Sequence, residues 1–408
     1  MEQNDPEYQK LSPEEHVRAR PDMYFGNRNR VDFSECAAPL LGLREDLSRV
    51  YNISELAKPY YPGIISLLSE LVVNAFDSAR SDTLSQRLNT KLAQLKTIEG
   101  DPASVINVCV CEDGSVVVTN YGSGMPVNSI SSTSSDGVNT SKPEPIPQMC
   151  FGSFYSGSNF DDTENASTQF GAGRNGFGAA IVNVMSNQFI VDIDHHRTRN
   201  KYHQEWNGSK LSDRTEPIFG PTAAHRSDMR YGRVSVTCFL DQAYFYDTEL
   251  APQALSCAHT DVLRFRVACA AFASGLKCQF NNAPVPMGLP VLCAPVGAMI
   301  FSDTVKVERN LRFHVSWWFD DIGSAPKIGI VNGVYCPLGT HMNYAMSVIW
   351  DVIRTKASGK RKRTAATGQT QSGSSNAGQT AVMRRVGMVV SAVISRPQFT
   401  SNGKEKLV

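Results

Sequence analysis

The 408-residue chain has no excess of charge of either sign: Lys plus Arg number 40 and Asp plus Glu 39, a formal net charge of +1. That balance excludes a protein that holds nucleic acid or a membrane surface by bulk charge and leaves room only for regional contacts with polyanions. Long hydrophobic runs are missing too. The most apolar stretch, Val291 to Phe301, is well short of the roughly 18 residues that a membrane span needs, and the first residues, Met-Glu-Gln-Asn-Asp-Pro, are acidic and polar. The 10 cysteines form no CxxC, and Cys109 and Cys111 are the only close pair. Neither a disulfide scaffold nor a thiolate zinc site is indicated, and most thiols are expected to be reduced and buried. No GxxxxGK[ST] segment occurs, which excludes a P-loop, and no internal repeat is visible. What remains, with 41% hydrophobic and 19% charged residues, is a soluble, intracellular globular chain of about two to three domains.

One helix stands out against that background. Ile64, Leu67, Leu68, Leu71, Ala75 and Phe76 recur at helical spacing behind Pro62-Gly63, which predicts a core helix over 64–80. Glu70, Asn74 and Asp77 lie at i, i+4 and i+7, so a carboxylate, an amide and a second carboxylate share one stripe. Alone, such a stripe fits a solvated helix face. Val72, Val73 and Phe76 leave so little else polar that it is expected to face a pocket.

Two apolar runs, 105–111 and 116–119, flank Asp113-Gly114 and read as a β-hairpin. The second runs into Asn120-Tyr121-Gly122-Ser123-Gly124, where glycine permits a sharp turn or a close approach to a ligand, although composition alone favours a turn without one. Residues 129–141 are Ser- and Thr-rich and read as a loop. Gly171-Ala172-Gly173-Arg174-Asn175-Gly176-Phe177-Gly178 precedes a small-residue helix over 179–185, the arrangement of an anion site with free N–H groups at a helix start. Gly171, Gly173 and Gly176 also satisfy GxGxxG, but the polar run 161–169 before them is no buried strand, so a dinucleotide fingerprint is not indicated. Farther on come strands at 313–319, 328–334 and 386–394, a helix over 342–354, and a low-complexity insert, 357–380, carrying Lys360-Arg361-Lys362-Arg363.

The order of these features resembles the GHKL (Bergerat-fold) ATPases, most closely the ATPase region of type IIA DNA topoisomerases of eukaryotes and viruses. YQKLSPEEHVRARPDMYFG is similar to that family's entry segment, ELVVNAFD to its E-I-L-V-N-A-x-D helix, and VTNYGSGMPV to its W-N-N-G-K-G-I-P-V loop. GSNFDD and GAGRNGFGAAIVNVMS resemble its S-S-N-Y-D-D and G-G-R-N-G-Y-G lid. VNGVYCPLGTHMNY and RPQFTSNGKEKL resemble the transducer's V-N-x-I-x-T-x-x-G-G-x-H and N-P-x-F-x-S-Q-T-K-E-x-L. The resemblance runs in register over nearly the whole chain. It implies an α+β architecture: a GHKL ATPase α/β sandwich with an N-terminal arm over 1–285, then a transducer of ribosomal-protein-like α/β fold over 286–408, truncated at its C-terminal end.

The resemblance also implies roles. Glu70 is the expected general base for ATP hydrolysis and Lys404 the expected partner of the γ-phosphate, a carboxylate and an ammonium suited to those tasks. Asn74 is expected to bind Mg²⁺. Asn120 is expected to read the adenine, with Asp77 supporting that pocket and Gly122 and Gly124 making room for the base. Ser158 and Asn159 are expected at the ribose or phosphates. Gly173, Arg174, Asn175, Gly176, Phe177 and Gly178 are expected to wrap the triphosphate, joined by Asn402 and Gly403 beside Lys404. In the family, ATP binding closes a homodimer gate that captures double-stranded DNA, and Lys360, Arg361, Lys362 and Arg363 fall where the transducer carries a lysine-rich loop facing DNA.

Three departures stand out: Asn402-Gly403 replaces the family's Gln-Thr, Gly157 its first lid serine, and Ala180 a lysine of eukaryotic relatives. Segment 81–102 resembles an insertion, and no role is assigned to it. No cleavage motif or DNA-attacking tyrosine region like the family's is found, so the cleavage core is expected elsewhere in the same or a separate chain. The expected location is the nucleus if the source is eukaryotic, otherwise cytoplasm or a viral replication site. Other GHKL ATPases (chaperone, mismatch-repair or chromatin-remodelling types) and a relative that has lost turnover are the competing assignments.

Overall fold

The structure, a computed structural model, describes residues 10–26, 28–31, 60–131, 142–156, 176–221, 230–246, 255–294, 298, 300–308, 311–320, 325–361, 376–394, 397–400, 404 and 406–408. α1 (Pro13–Ala19) starts with proline and a capping box: Ser12 Oγ accepts from Glu15 N at 3.2 Å, and Glu15 Oε2 accepts from Ser12 N at 2.8 Å. α2 (Pro21–Tyr24) follows. α3 (Pro62–Ser81) is the expected core helix and buries Ile64, Leu67, Leu68, Leu71, Val72 and Phe76, each worth about 1.5–3 kcal/mol of transfer free energy.

Segment 81–102, expected to be an insertion, is largely ordered structure. It forms α4 (Thr83–Ala93), capped by Asp82, with Ser85 and Leu88 buried. Asn89 ties it to the far side of the fold, donating to Gly275 O (3.0 Å) and accepting from Lys277 N (2.8 Å). Leu84, Leu88 and Leu92 recur at i, i+4 and i+8, and this stripe packs the helix onto the core.

β1 (Ile106–Val110) and β2 (Val116–Gly122) form the expected hairpin, with Val110 opposite Val116. β3 (Ser129–Ile130) pairs with β4 (Glu144–Pro145), so the expected loop opens with a short strand. α5 (Ile146–Gly152) and α6 (Gly178–Val184) precede β5 (Ser186–Asp194), β6 (Asn200–Asn207), β7 (Ile218–Pro221) and β8 (Gly232–Leu240). After α7 (Gln242–Tyr246) and α8 (Cys257–Ser274) come β9 (Cys278–Phe280) and β10 (Ala283–Pro284). Apart from β3 and β4, these strands make one eight-stranded sheet in the order β10-β9-β1-β2-β8-β5-β6-β7, antiparallel except for β1 beside β9. α3 and α8 pack against each other over it.

The later part adds α9 (Leu289–Cys293), β11 (Phe301–Glu308), β12 (Leu311–Phe319), β13 (Lys327–Val331), β14 (Val334–Tyr335) and β15 (Leu338–Gly339). α10 (Thr340–Arg361), α11 (Asn376–Arg384), β16 (Val386–Ile394) and β17 (Lys406–Leu407) complete it. The expected strand over 328–334 is the β13–β14 hairpin, turned at Asn332-Gly333, both with positive φ. The expected low-complexity insert is partly helical, since α10 runs to Arg361 and α11 begins at Asn376.

A five-stranded sheet, β11-β12-β16-β13-β14, is centred on β16. β16 reads VGMVVSAVI because both of its faces are covered. Val386, Met388 and Val390 meet Met342, Ala345 and Ile349 of α10. Val389, with Trp318, Ile328 and Ile330, joins the cluster that holds Leu67, Leu71 and Val267. The two large sheets therefore share one apolar core around α3 and α8, and Val73 of α3 also touches Val334 of β14. The described cysteines are all free, and among them only Cys257 is exposed.

Candidate active site

α3 presents Glu70, Asn74 and Asp77, each partly exposed although most of the helix is buried. Glu70 is engaged from two directions. Lys404 Nζ donates to Glu70 Oε1 at 2.6 Å, with side-chain exposures of 12% for the lysine and 24% for the glutamate. On the other side stands Gly178, the first residue of α6: a Cβ there would lie 2.5 Å from Glu70 Oε2. Residues expected to share a site from three distant parts of the chain, 70, 178 and 404, thus converge on one carboxylate.

Lys404 reaches this place because the chain end is clamped. β17 runs parallel to β15, with Gly339 opposite Leu407. Thr400 N donates to Lys406 O (3.0 Å), Val408 N to Gln398 O (2.9 Å) and Thr340 Oγ1 to Val408 O (3.2 Å). Gly339 has φ +125°, and a Cβ there would collide with the Leu407 backbone, so the Gly-Thr-His stretch makes the seat for the lysine-bearing turn. Lys404 itself has φ +56°. His341 Nε2 donates to Cys336 O at 3.1 Å beneath that seat. Burial pushes its pKa down to about 4 against the opposing pull of the carbonyl.

Around α6, Ser156 N donates to Gly176 O at 2.9 Å, joining the two ends of the segment expected to form the lid. Phe177 meets Tyr24 and Tyr155 edge-on, with centroids 6.1 and 6.3 Å away. The entry segment is therefore packed beside the lid. Farther along it, Arg18 pairs with Asp241 (2.6 Å) and donates to Val184 O (3.5 Å).

The pocket expected for the base is built differently from expectation. Asn120 is buried in β2 and shares a face with Gly122 by strand alternation. The open side of Gly122, expected to make room for a base, is filled by the Asp82 carboxylate and the Ser85 hydroxyl, and that of Gly124 by the Asp194 and His195 backbone. These glycines admit the protein's own groups. Asp77 has Arg80 as its electrostatic partner: burial lowers the Arg80 pKa, Asp77 opposes that, and Arg312 of β12 adds to it. Sequence reasoning passed over Asp82. Burial raises its pKa, but hydrogen bonds from the Ser123 and Ser85 side chains and backbones outweigh that and hold it below the ordinary value.

Ser158, Asn159, Gly173, Arg174, Asn175, Asn402, Gly403, Lys362 and Arg363 lie outside the described residues. Lys360 and Arg361 are the last two residues of α10. Among the described residues no group of three or more His, Cys, Asp or Glu could hold a metal ion. A Mg²⁺ at Asn74 would rest on one neutral amide with the remaining ligands from phosphate and water, and that donor set fits the ion. No helix among the described residues is long and apolar enough to cross a membrane.

No family model matches the chain. In sequence it is 23% identical over 419 residues to DNA topoisomerase 2 of Penicillium chrysogenum, an alignment covering 98% of this chain and 22% of that protein. The chain thus spans about a fifth of the length of that curated relative. In structure it is similar to the ATPase region of Saccharomyces cerevisiae topoisomerase II, with a TM-score of 0.66 at 22% identity over 98% of this chain and 89% of that one. The ATPase and transducer domains of DNA topoisomerase II from Balamuthia mandrillaris give a TM-score of 0.69 at 22% identity, covering 100% and 90%.

Proposed function

We propose that this chain, which carries the fold of the ATPase and transducer region of type IIA DNA topoisomerases and aligns with them in sequence along nearly its whole length, binds and hydrolyses ATP and closes as a dimer on a DNA duplex. The observation that carries this is the meeting of Lys404 with Glu70 beside Gly178. Glu70 accepts the proton of the attacking water as the oxygen adds to the γ-phosphorus and ADP departs. For that, Lys404 shifts its ammonium from Glu70 Oε1 to the γ-phosphate, which frees the carboxylate and places a positive charge where negative charge develops. Backbone N–H groups around Gly176 and Gly178 hold phosphate oxygens. Asn74 would hold Mg²⁺ through its side-chain oxygen, with phosphate and water as the remaining ligands, and the ion would supply neutralisation of phosphate charge. Asn120 faces the base.

The lysine exchange couples nucleotide to the five-stranded sheet through α10, since Lys404 sits on a turn clamped to β15 and β15 runs directly into α10, which packs on β16. Dimer closure, capture of DNA, contact of Lys360 to Arg363 with phosphates, and a cleavage core outside these 408 residues complete the proposal. Glu70→Gln is expected to retain nucleotide binding and abolish hydrolysis, while a non-hydrolysable ATP analogue dimerises the wild type in sedimentation. A wild type that neither hydrolyses ATP nor dimerises refutes the proposal. Replacing Lys360 to Arg363 with alanine is expected to flatten the salt dependence of DNA binding, and an unchanged slope removes their DNA role.

A further inference from the structure

We infer that Asp82 is a positioning residue that holds the Asn120–Gly124 turn against the end of α3 and so sets the pocket for the nucleotide base; this rests on the ATP-binding role proposed above. Asp82 follows directly on the helix that carries Glu70 and Asn74. Its Oδ2 accepts from Ser85 N at 2.8 Å, which is ordinary capping of α4. The rest is not ordinary. The same oxygen accepts from Ser123 N at 2.9 Å, and Oδ1 accepts from Ser123 Oγ at 2.6 Å. Ser85 Oγ lies 2.8 Å from both Asp82 Oδ2 and Tyr121 O. It has one proton and serves one of these acceptors at a time, so it links cap and turn.

An N-cap alone needs none of the Ser123 contacts, and Ser, Thr or Asn would cap as well. A carboxylate, with two oxygens that both accept, takes the cap amide and both Ser123 donors together, where a serine or threonine cap has a single oxygen. Gly122 completes the device, because any side chain there would occupy the space of the Asp82 carboxylate. Asn120 lies two residues before Gly122 on the same buried face of β2. The carboxylate therefore fixes the distance between the helix expected to handle the phosphates and the strand end expected to read the base.

Asp82→Ser keeps an acceptor for the cap but has one oxygen on a shorter side chain for what Asp82 holds with two, so the Ser123 contacts are lost. It is expected to fold, to raise KM for ATP about tenfold with a smaller effect on kcat, as for one charge-assisted hydrogen bond, and to bring the ATP-to-GTP ratio of kcat/KM closer to one. Exchange of the Ser123 amide proton should accelerate in the same variant. A folded Asp82→Ser with unchanged KM, unchanged base preference and unchanged Ser123 exchange overturns the inference. If that variant does not fold, Ser123→Ala, which removes only the Oδ1 contact, is expected to raise KM, and an unchanged KM overturns it equally. A wild type that binds no ATP defeats the ATPase role instead, and Ser123 exchange then still decides whether Asp82 holds the turn.

Discussion

Lys404 Nζ lies 2.6 Å from Glu70 Oε1, a pairing of residues 334 positions apart in the chain. Both side chains are mostly but not wholly withdrawn from water. Losing one partner therefore strands a partly desolvated charge, while the net worth of the pair stays below that of a fully buried one. Glu70→Ala and Lys404→Ala are each expected to lower stability by about 1–2 kcal/mol, and the double variant by about 1 kcal/mol less than their sum. Urea unfolding of the four proteins measures this. Strict additivity would show that the contact adds nothing to the fold.

Gly178 gives a test of the carboxylate's position. The atom that a Cβ at 178 would meet is the end of the Glu70 side chain, 2.5 Å away, and a flexible end can move aside at little cost to the fold. Gly178→Ala is therefore expected to melt near the wild-type temperature while its ATP turnover falls by about tenfold or more, as befits a base displaced by a fraction of an ångström. Turnover within twofold of wild type in a steady-state ATPase assay would show that the carboxylate need not stay where Gly178 lets it lie.

Gly339 is different, because its missing Cβ would collide with the backbone of Leu407 at φ +125°. No rotamer change relieves that. Gly339→Ala is expected to part β15 from β17, costing about 2 kcal/mol or more, and to loosen the turn that bears Lys404. The matching sign is faster amide exchange at Leu407, whose partner residue in β15 is Gly339. Wild-type exchange there would mean that the lysine turn is held by other contacts.

These relationships were unevenly legible in the sequence. α3 was readable because Ile64, Leu67, Leu68 and Leu71 repeat at helical spacing, and the β1–β2 hairpin because Asp113-Gly114 interrupts two apolar runs. The resemblance named Glu70, Gly178 and Lys404, but no local pattern states that they touch. That depends on the core shared by both sheets, where Trp318 and Val389 join Leu67. Gly122 is expected at a ligand through the resemblance, and no local pattern states that its neighbour in space is Asp82, the N-cap of α4. α4 carries a helical apolar period in Leu84, Leu88 and Leu92, but no such period states where its cap lies in space.

Histidines set the pH window of the fold. His259 is buried, accepts from Tyr61 N at Nε2 (2.9 Å) and so carries its proton on Nδ1, which donates to Ser256 Oγ (2.7 Å). Burial pushes its pKa down to about 4, as it does for His341. Unfolded, both titrate near 6.5. Their contribution is whole above pH 6.5 and is lost as pH falls toward 4, on the order of 3 kcal/mol each. His203 has the opposite sign. Burial lowers its pKa, but Asp192 at 2.8 Å and Glu205 at 3.1 Å outweigh that and raise it, so its contribution is present below pH 6.5 and lost as pH rises through its folded value. The melting temperature is therefore expected to drop steeply between pH 6.5 and 4, because protonating His259 Nε2 takes away the acceptor of the Tyr61 N–H. His259→Gln, which cannot titrate, is expected to melt lower at pH 7 yet fall less steeply on acidification, and His203→Gln to lose more stability at pH 6 than at pH 9. An acid limb as steep in His259→Gln as in the wild type would show that other groups set the acid limit.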